Sequence, residues 1–141
     1  MAATDLNTVR STIEARLATE LASNPAIPVV FNNMAFDSTT EDTFVQCITS
    51  FGASEYLTMG GTTDSDNNVV GLVLLNVFTE EGLGAGSNFI ICKRLRDLYN
   101  RVILNDIYFE PPTGPAVLEN ASPEGFVQSV MSIAFETYEN L

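Results

Sequence analysis

Apolar positions divide the chain into stretches of helical and extended period. Leu6, Val9, Ile13, Leu17 and Leu21 recur at spacings of three and four, with Arg10, Glu14 and Glu20 off the stripe. That period predicts an amphipathic helix, capped by Thr4 or Asp5. Ser23-Asn24-Pro25 ends it, because proline restricts the residue before it and donates no helical hydrogen bond. β-Branched and aromatic residues from Ile27 to Phe36 predict a first strand, Asp37 to Asp42 a polar turn, and Thr43 to Phe51 a second strand. Turn formers dominate Thr58 to Asn68, expected to join two antiparallel strands through a mobile loop. The third strand is Val69 to Thr79. Its Val69, Val73, Leu75 and Val77 lie on one pleat face and Val70, Leu72, Leu74 and Phe78 on the other. Such a strand is covered on both sides, here by helices on one and, as the expectation, by another subunit on the other.

Glu80 to Gly86 reads as a glycine-rich connection, also expected to be mobile, after which Ser87 caps a second helix running to about Leu104. Ile91, Leu95, Leu98 and Val102 form its apolar stripe, and Asn105-Asp106 stops it. A short strand from Ile107 to Glu110 follows, and the prolines between Pro111 and Pro115 predict a rigid bend that demotes its neighbours to edge strands. The closing strand runs from about Phe126 to Tyr138, with Val127, Met131, Ile133 and Phe135 on one face and Gln128, Ser132 and Glu136 on the other. This order predicts an α+β fold, a mainly antiparallel β-sheet with two α-helices packed on one face, as a single domain over residues 1–141.

Composition adds an assembly to this picture. At 45% hydrophobic and 17% charged residues, the chain is unusually apolar for an isolated domain, so part of its surface is expected to meet other subunits. Eighteen acidic residues against six basic ones give a net charge of −12, which excludes a nonspecific phosphate-binding surface. There is no histidine, which removes Ser-His-Asp triads, Cys-His pairs and imidazole metal sites. Cys47 and Cys92 stand far apart without a CxxC and read as buried, reduced thiols. No basic start followed by an apolar run opens the chain, and the run from Val69 to Val77 is broken by Gly71 and Asn76. A soluble protein maturing inside a cell, with no membrane contact, is the expectation.

Candidate chemistry is sparse. Gly82-Leu83-Gly84-Ala85-Gly86-Ser87 sits where phosphate-cradling loops belong, but the glycine spacing is wrong and no lysine precedes the serine. Glu80 and Glu81 would repel a phosphate. The carboxylate pairs Glu41 and Asp42, Asp64 and Asp66, and Glu80 and Glu81 all fall in predicted loops. Residues Asp64 to Asn68 lack the glycine and glutamate of a calcium loop. No catalytic residue, cofactor or metal is expected, and the chain reads as a non-enzyme. Lys93, Arg94, Arg96 and Arg101 crowd the second helix. They form either a solvated face supported by an Asp97–Arg101 pair or a basic face meeting an acidic surface of an identical neighbour.

Four stretches give the chain a wider likeness: the opening helix from Asn7 to Leu17, the strand ending Phe31-Asn-Asn-Met-Ala-Phe36, the passage from Gly71 to Phe78 running into Gly82 and Gly84, and the closing Val130-Met-Ser-Ile-Ala-Phe135. In this order the chain resembles the tail terminator proteins of tailed bacteriophages. The resemblance implies a virion protein of the tail or neck, assembled in the host cytoplasm, that forms a homo-oligomeric ring of six. That ring would cap the tail tube protein's polymer, end its growth and join the tail to head connector or neck proteins, with sheath as a further neighbour if the tail is contractile. DNA would pass through the lumen without specific binding, with Asp64, Asp66, Glu80 and Glu81 on lumen-facing or partner-facing loops and Lys93, Arg94, Arg96 and Arg101 at the subunit contact. Another neck or connector component is the alternative in the same assembly, and a small non-viral binding module lies outside it.

Overall fold

The computed structural model describes residues 6–23, 26–31, 43–56, 66–80, 86–104, 106–118 and 126–140. Three long strands dominate: β2 (Thr43–Tyr56), β3 (Asp66–Glu80) and β7 (Phe126–Asn140). The rest are α1 (Leu6–Glu20), β1 (Val29–Val30), α2 (Gly86–Tyr99), β4 (Ile103–Leu104), β5 (Ile107–Phe109) and β6 (Thr113–Leu118). The strands make one sheet in the order β1-β2-β3-β7-β5-β4, with β6 also paired to β7. Only the β1–β2 pair is parallel. The α+β expectation holds.

Strand alternation sorts residues onto two faces. Among the odd-numbered positions of β3 and β7, Val73, Leu75, Val77, Met131, Ile133 and Phe135 are fully buried beneath both helices. Val9, Ile13, Leu17 and Leu21 of α1 and Cys92, Leu95 and Tyr99 of α2 close that core from above. The Tyr99 hydroxyl donates to the Ile13 carbonyl (2.8 Å) and so ties α2 to the middle of α1. On the other face, Phe44, Phe78 and Phe126 form a separate aromatic cluster, with Phe44 and Phe78 stacked at 4.5 Å.

Several boundaries differ from the sequence expectation. The second helix stops at Tyr99 rather than near Leu104. Arg101 turns left-handed (φ 56°), which ends a helix, and Ile103–Leu104 then pair with β5 as a strand. The proline-rich segment contributes a strand rather than a bend alone. Gly114 (φ 102°) holds its Cα where a Cβ would stand 2.7 Å from the Val130 carbonyl oxygen, and a one-residue slip between Thr113 and Ala116 accommodates Pro115 on an edge. Asp66, Asn67, Asn68 and Glu80 belong to β3, not to loops, because backbone pairing with Tyr56, Glu55 and β7 continues past the apolar run. Of the first strand expected from Ile27 to Phe36, residues 27–31 are described and Val29–Val30 among them form a strand; residues 32–42, 57–65, 81–85 and 119–125 lie outside the described residues. Leu6 is exposed, whereas Glu14 is buried beneath α1. Val127 is only half-buried, and Ser129 and Thr137 complete the closing strand's buried row.

Candidate functional site

Helix α2 carries the basic cluster, and its seating decides what that cluster can do. Its buried row is Asn88, Cys92, Leu95 and Tyr99, at spacings of four, three and four, with Ile91 and Leu98 flanking. Asn88 is the unexpected member. Its amide donates to the Val77 carbonyl (3.1 Å), the Thr79 hydroxyl (3.3 Å) and the Val127 carbonyl (3.2 Å), and its oxygen accepts from the Cys92 thiol. A buried amide satisfied in this way fixes the first turn of α2 over β3 and β7. Its place on the apolar row was the one available signal in the sequence.

Two of the four basic residues are spent on the fold. Arg94 donates to the Glu20 carboxylate (2.9 Å) and to the Glu20 and Ser23 carbonyls, clamping the end of α1. Arg96 donates to the carbonyls of Pro112 (2.9 Å) and Gly114 (2.7 Å), which fastens the start of β6 against α2. Lys93 is exposed and pairs with Asp97 (2.7 Å) at i, i+4. The expected Asp97–Arg101 pair is replaced by this one, since Arg101 lies past the helix end and is no longer in phase. Arg101 is exposed. Of the acidic candidates, Glu80 is exposed at the end of β3, Asp66 opens that strand, and Asp64 and Glu81 fall outside the described residues.

The face of the sheet away from the helices carries Ile48, Leu72, Leu74, Val130 and Ala134, all half-buried. An amide ladder crosses it, with Gln128 donating to Asn76 (3.2 Å) and Asn76 to Gln46 (3.1 Å). Such a ladder satisfies polar groups across three strands without placing a charge at the centre of the face. Both faces of β3 therefore present apolar side chains, as its pattern predicts.

Nothing in the described residues resembles a reaction centre. No group of three or more His, Cys, Asp or Glu among them could hold a metal. Both cysteines are buried free thiols. Burial, reinforced by the Glu14 carboxylate, pushes the Cys47 thiol up to about 12, and burial pushes that of Cys92 up to about 11. Thiols held protonated are poor nucleophiles. A shallow groove between the helices, lined by Ala15, Arg16, Thr19, Glu20 and Leu98, has its ionic groups engaged: Arg16 donates to the Leu98 carbonyl and Glu20 accepts from Arg94. No helix among the described residues is long and apolar enough to cross a membrane.

Among the described residues the arrangement offers surfaces rather than a reactive pocket. No curated protein matches the chain. One solved structure superimposes with a TM-score of 0.71 over 96% of each chain at 15% identity, a likeness that concerns the fold alone. The sequence profile of the phage tail terminator protein family matches residues 8–116. That span takes in both helices, the strands from β1 to β5 and most of β6, so the chain belongs to the phage tail terminator family and is a structural component related to phage tails.

Proposed function

We propose that the protein forms a ring of six subunits that caps the completed tail tube, ends its polymerisation and presents a surface to head connector or neck proteins. Family membership over residues 8–116 is the observation that carries this reading. Charge supports it: a chain of net charge −12 repels DNA, so a duplex can slide through its ring without sticking. The sheet supports it too, because a β-strand apolar on both faces suits burial against a neighbour. The role needs no catalytic group, cofactor or metal, and no membrane. Its place is the virion, at the junction of tail and neck, after assembly in the host cytoplasm.

Electron microscopy of tail tubes polymerised in vitro, with and without the purified protein, tests the proposal. A ring seated at one tube end, with growth arrested there, is the expected result. Absence of end-binding together with tight binding to isolated connector complexes would instead make the protein another neck component.

A further inference from the structure

Two exposed apolar patches lie on opposite faces of the sheet and toward opposite ends of it. The first is a cross-strand row on the face away from the helices. Val70 pairs with Glu136, Glu136 with Tyr108, and Tyr108 with Ile103, so all four side chains share that face. Ile103 is 64% exposed and Tyr108 39%. Tyr138, edge-on to Tyr108 at 6.1 Å, extends the row. Glu136, Glu110 and Asp106 outnumber Arg101 around it, leaving this end acidic.

The second patch lies on the helical side. Ile90 is 72% exposed and Phe89 44%. Phe89 stands seven residues before Arg96 and so takes the same side of α2, the side that Arg96 fastens to β6. There Val117, 46% exposed, pairs with the buried Ser129 and so belongs to the helical face. Lys93 is three residues from Ile90 and four from Phe89, which puts it on the same surface. Arg96 spends its donors on carbonyls and has no carboxylate partner among the described residues, so its charge is not cancelled. With Lys93, Arg96 and the Asp97 carboxylate that pairs with Lys93, this side is the less acidic of the two among the described residues.

Two apolar patches, one bordered mainly by carboxylates and the other by Lys93 and Arg96 as well as Asp97, and placed on different faces, are not both buried by a two-fold pair. They suit a head-to-tail contact, in which each subunit uses one patch toward each neighbour, and such contacts close into rings. Resting on the ring reading above, we infer that the subunit contact seats Phe89, Ile90 and Val117 of one copy on Val70, Ile103 and Tyr108 of the next, with Lys93 facing Glu136. Apolar anchors at the centre supply the affinity and the charges set orientation.

Native mass measurement of wild type, Ile90→Asp and Ile103→Asp, well above the concentration at which wild type assembles, tests this. Both positions are solvent-exposed, and circular dichroism checks that the variants fold. Wild type should run at ring mass and each variant as a monomer. An equimolar mixture of the two variants should run as a one-to-one pair, because each brings one intact patch and only one good contact can form. Lys93→Glu and Glu136→Lys should each weaken assembly and together restore it. Variants that keep the wild-type mass, or a mixture that stays monomeric, overturn the assigned contact while the ring reading stands. A wild-type protein monomeric both in solution and on tube ends overturns both.

Discussion

Gly71 offers the most direct test of how this sheet is packed. It lies between Phe51 of β2 and Phe135 of β7, its register partners on either side. A Cβ at position 71 would stand 2.2 Å from Phe135 Cζ and 2.7 Å from both Cε atoms, so the ring lies across the space a side chain would fill. The ring has little room to retreat, being fully buried and packed edge-on against Phe51 (5.8 Å) and tilted against Phe109 (6.2 Å). Overpacking a well-filled core costs about 1–3 kcal/mol. Replacing a strand glycine by alanine returns about 0.5–1 kcal/mol of backbone entropy, so Gly71→Ala should lose about 1–2 kcal/mol net. Phe135→Leu alone should cost about 1–2 kcal/mol, less than the ~3–5 kcal/mol of truncation to alanine. The clash involves only Cε and Cζ, atoms that leucine lacks. In the Phe135→Leu background, Gly71→Ala should therefore become nearly neutral, a coupling of about 1 kcal/mol. Urea unfolding at low protein concentration reads this directly: with a slope of about 2 kcal/mol/M, each single variant shifts the midpoint by about 0.5–1 M. Additive effects within about 0.5 kcal/mol, or an unaffected single Gly71→Ala, would show that the ring does not confine this glycine.

Asn88→Asp removes the amide donors of a fully buried side chain and places a carboxylate against two carbonyls; the expected loss is about 3 kcal/mol or more by urea unfolding. Arg96→Ala frees the start of β6, so amide exchange in residues 113–118 should quicken by about five- to thirty-fold for a loss of about 1–2 kcal/mol. Both thiols should resist an aromatic disulfide reagent at pH 8 until the chain unfolds. The same burial sets a pH dependence. The folded thiols keep protons that the unfolded chain releases near pH 9.0, so their contribution is intact below that pH and falls above it, toward about 11 for Cys92 and about 12 for Cys47. From pH 9 to pH 10 each thiol should lower stability by about 1 kcal/mol, and Cys47→Ala should remove its share of that fall.

The buried row of α1 was legible because Val9, Ile13, Leu17 and Leu21 recur every four residues, and the middle of β3 because its apolar run is unbroken on both pleat faces from Val69 to Leu75 apart from Gly71. Ends were less legible where two different causes give the same letters. Val102, Ile103 and Leu104 continue the apolar count of α2, yet the left-handed turn at Arg101 transfers two of them to a strand. At the β2–β3 end, Asn67 and Asn68 look like turn residues, but strand pairing is a backbone property, and Tyr56 and Glu55 across the ladder hold them in register. Asn88 lies outside the expected stripe of Ile91, Leu95, Leu98 and Val102, and its place in the core is explained by the carbonyls of Val77 and Val127 beneath it. A polar residue at a core position shows that a partner must exist without showing which one.

Charge was the feature most open to misreading, and the reason is chemical. A guanidinium carries five donors, and a count of arginines does not reveal whether they point at solvent, at a carboxylate or at backbone carbonyls. The sequence places Lys93, Arg94, Arg96 and Arg101 at a contact between subunits, yet Arg94 and Arg96 each close a gap inside their own chain, Arg94 at the end of α1 and Arg96 at the start of β6. Reversing Arg94 to glutamate would set it against Glu20 and report on folding before it reported on assembly. The proposed contact instead uses side chains on the surface: Ile90 and Ile103 are apolar and exposed, Lys93 is exposed with Asp97 as its i, i+4 partner, and Glu136 pairs across the ladder with Val70 and Tyr108. Arg96 still shapes that surface without touching a partner, because a cation neutralised only by carbonyls keeps its field. The same residue thus holds an edge strand in place and, in the contact proposed above, leaves a positive charge beside the patch that meets the next copy.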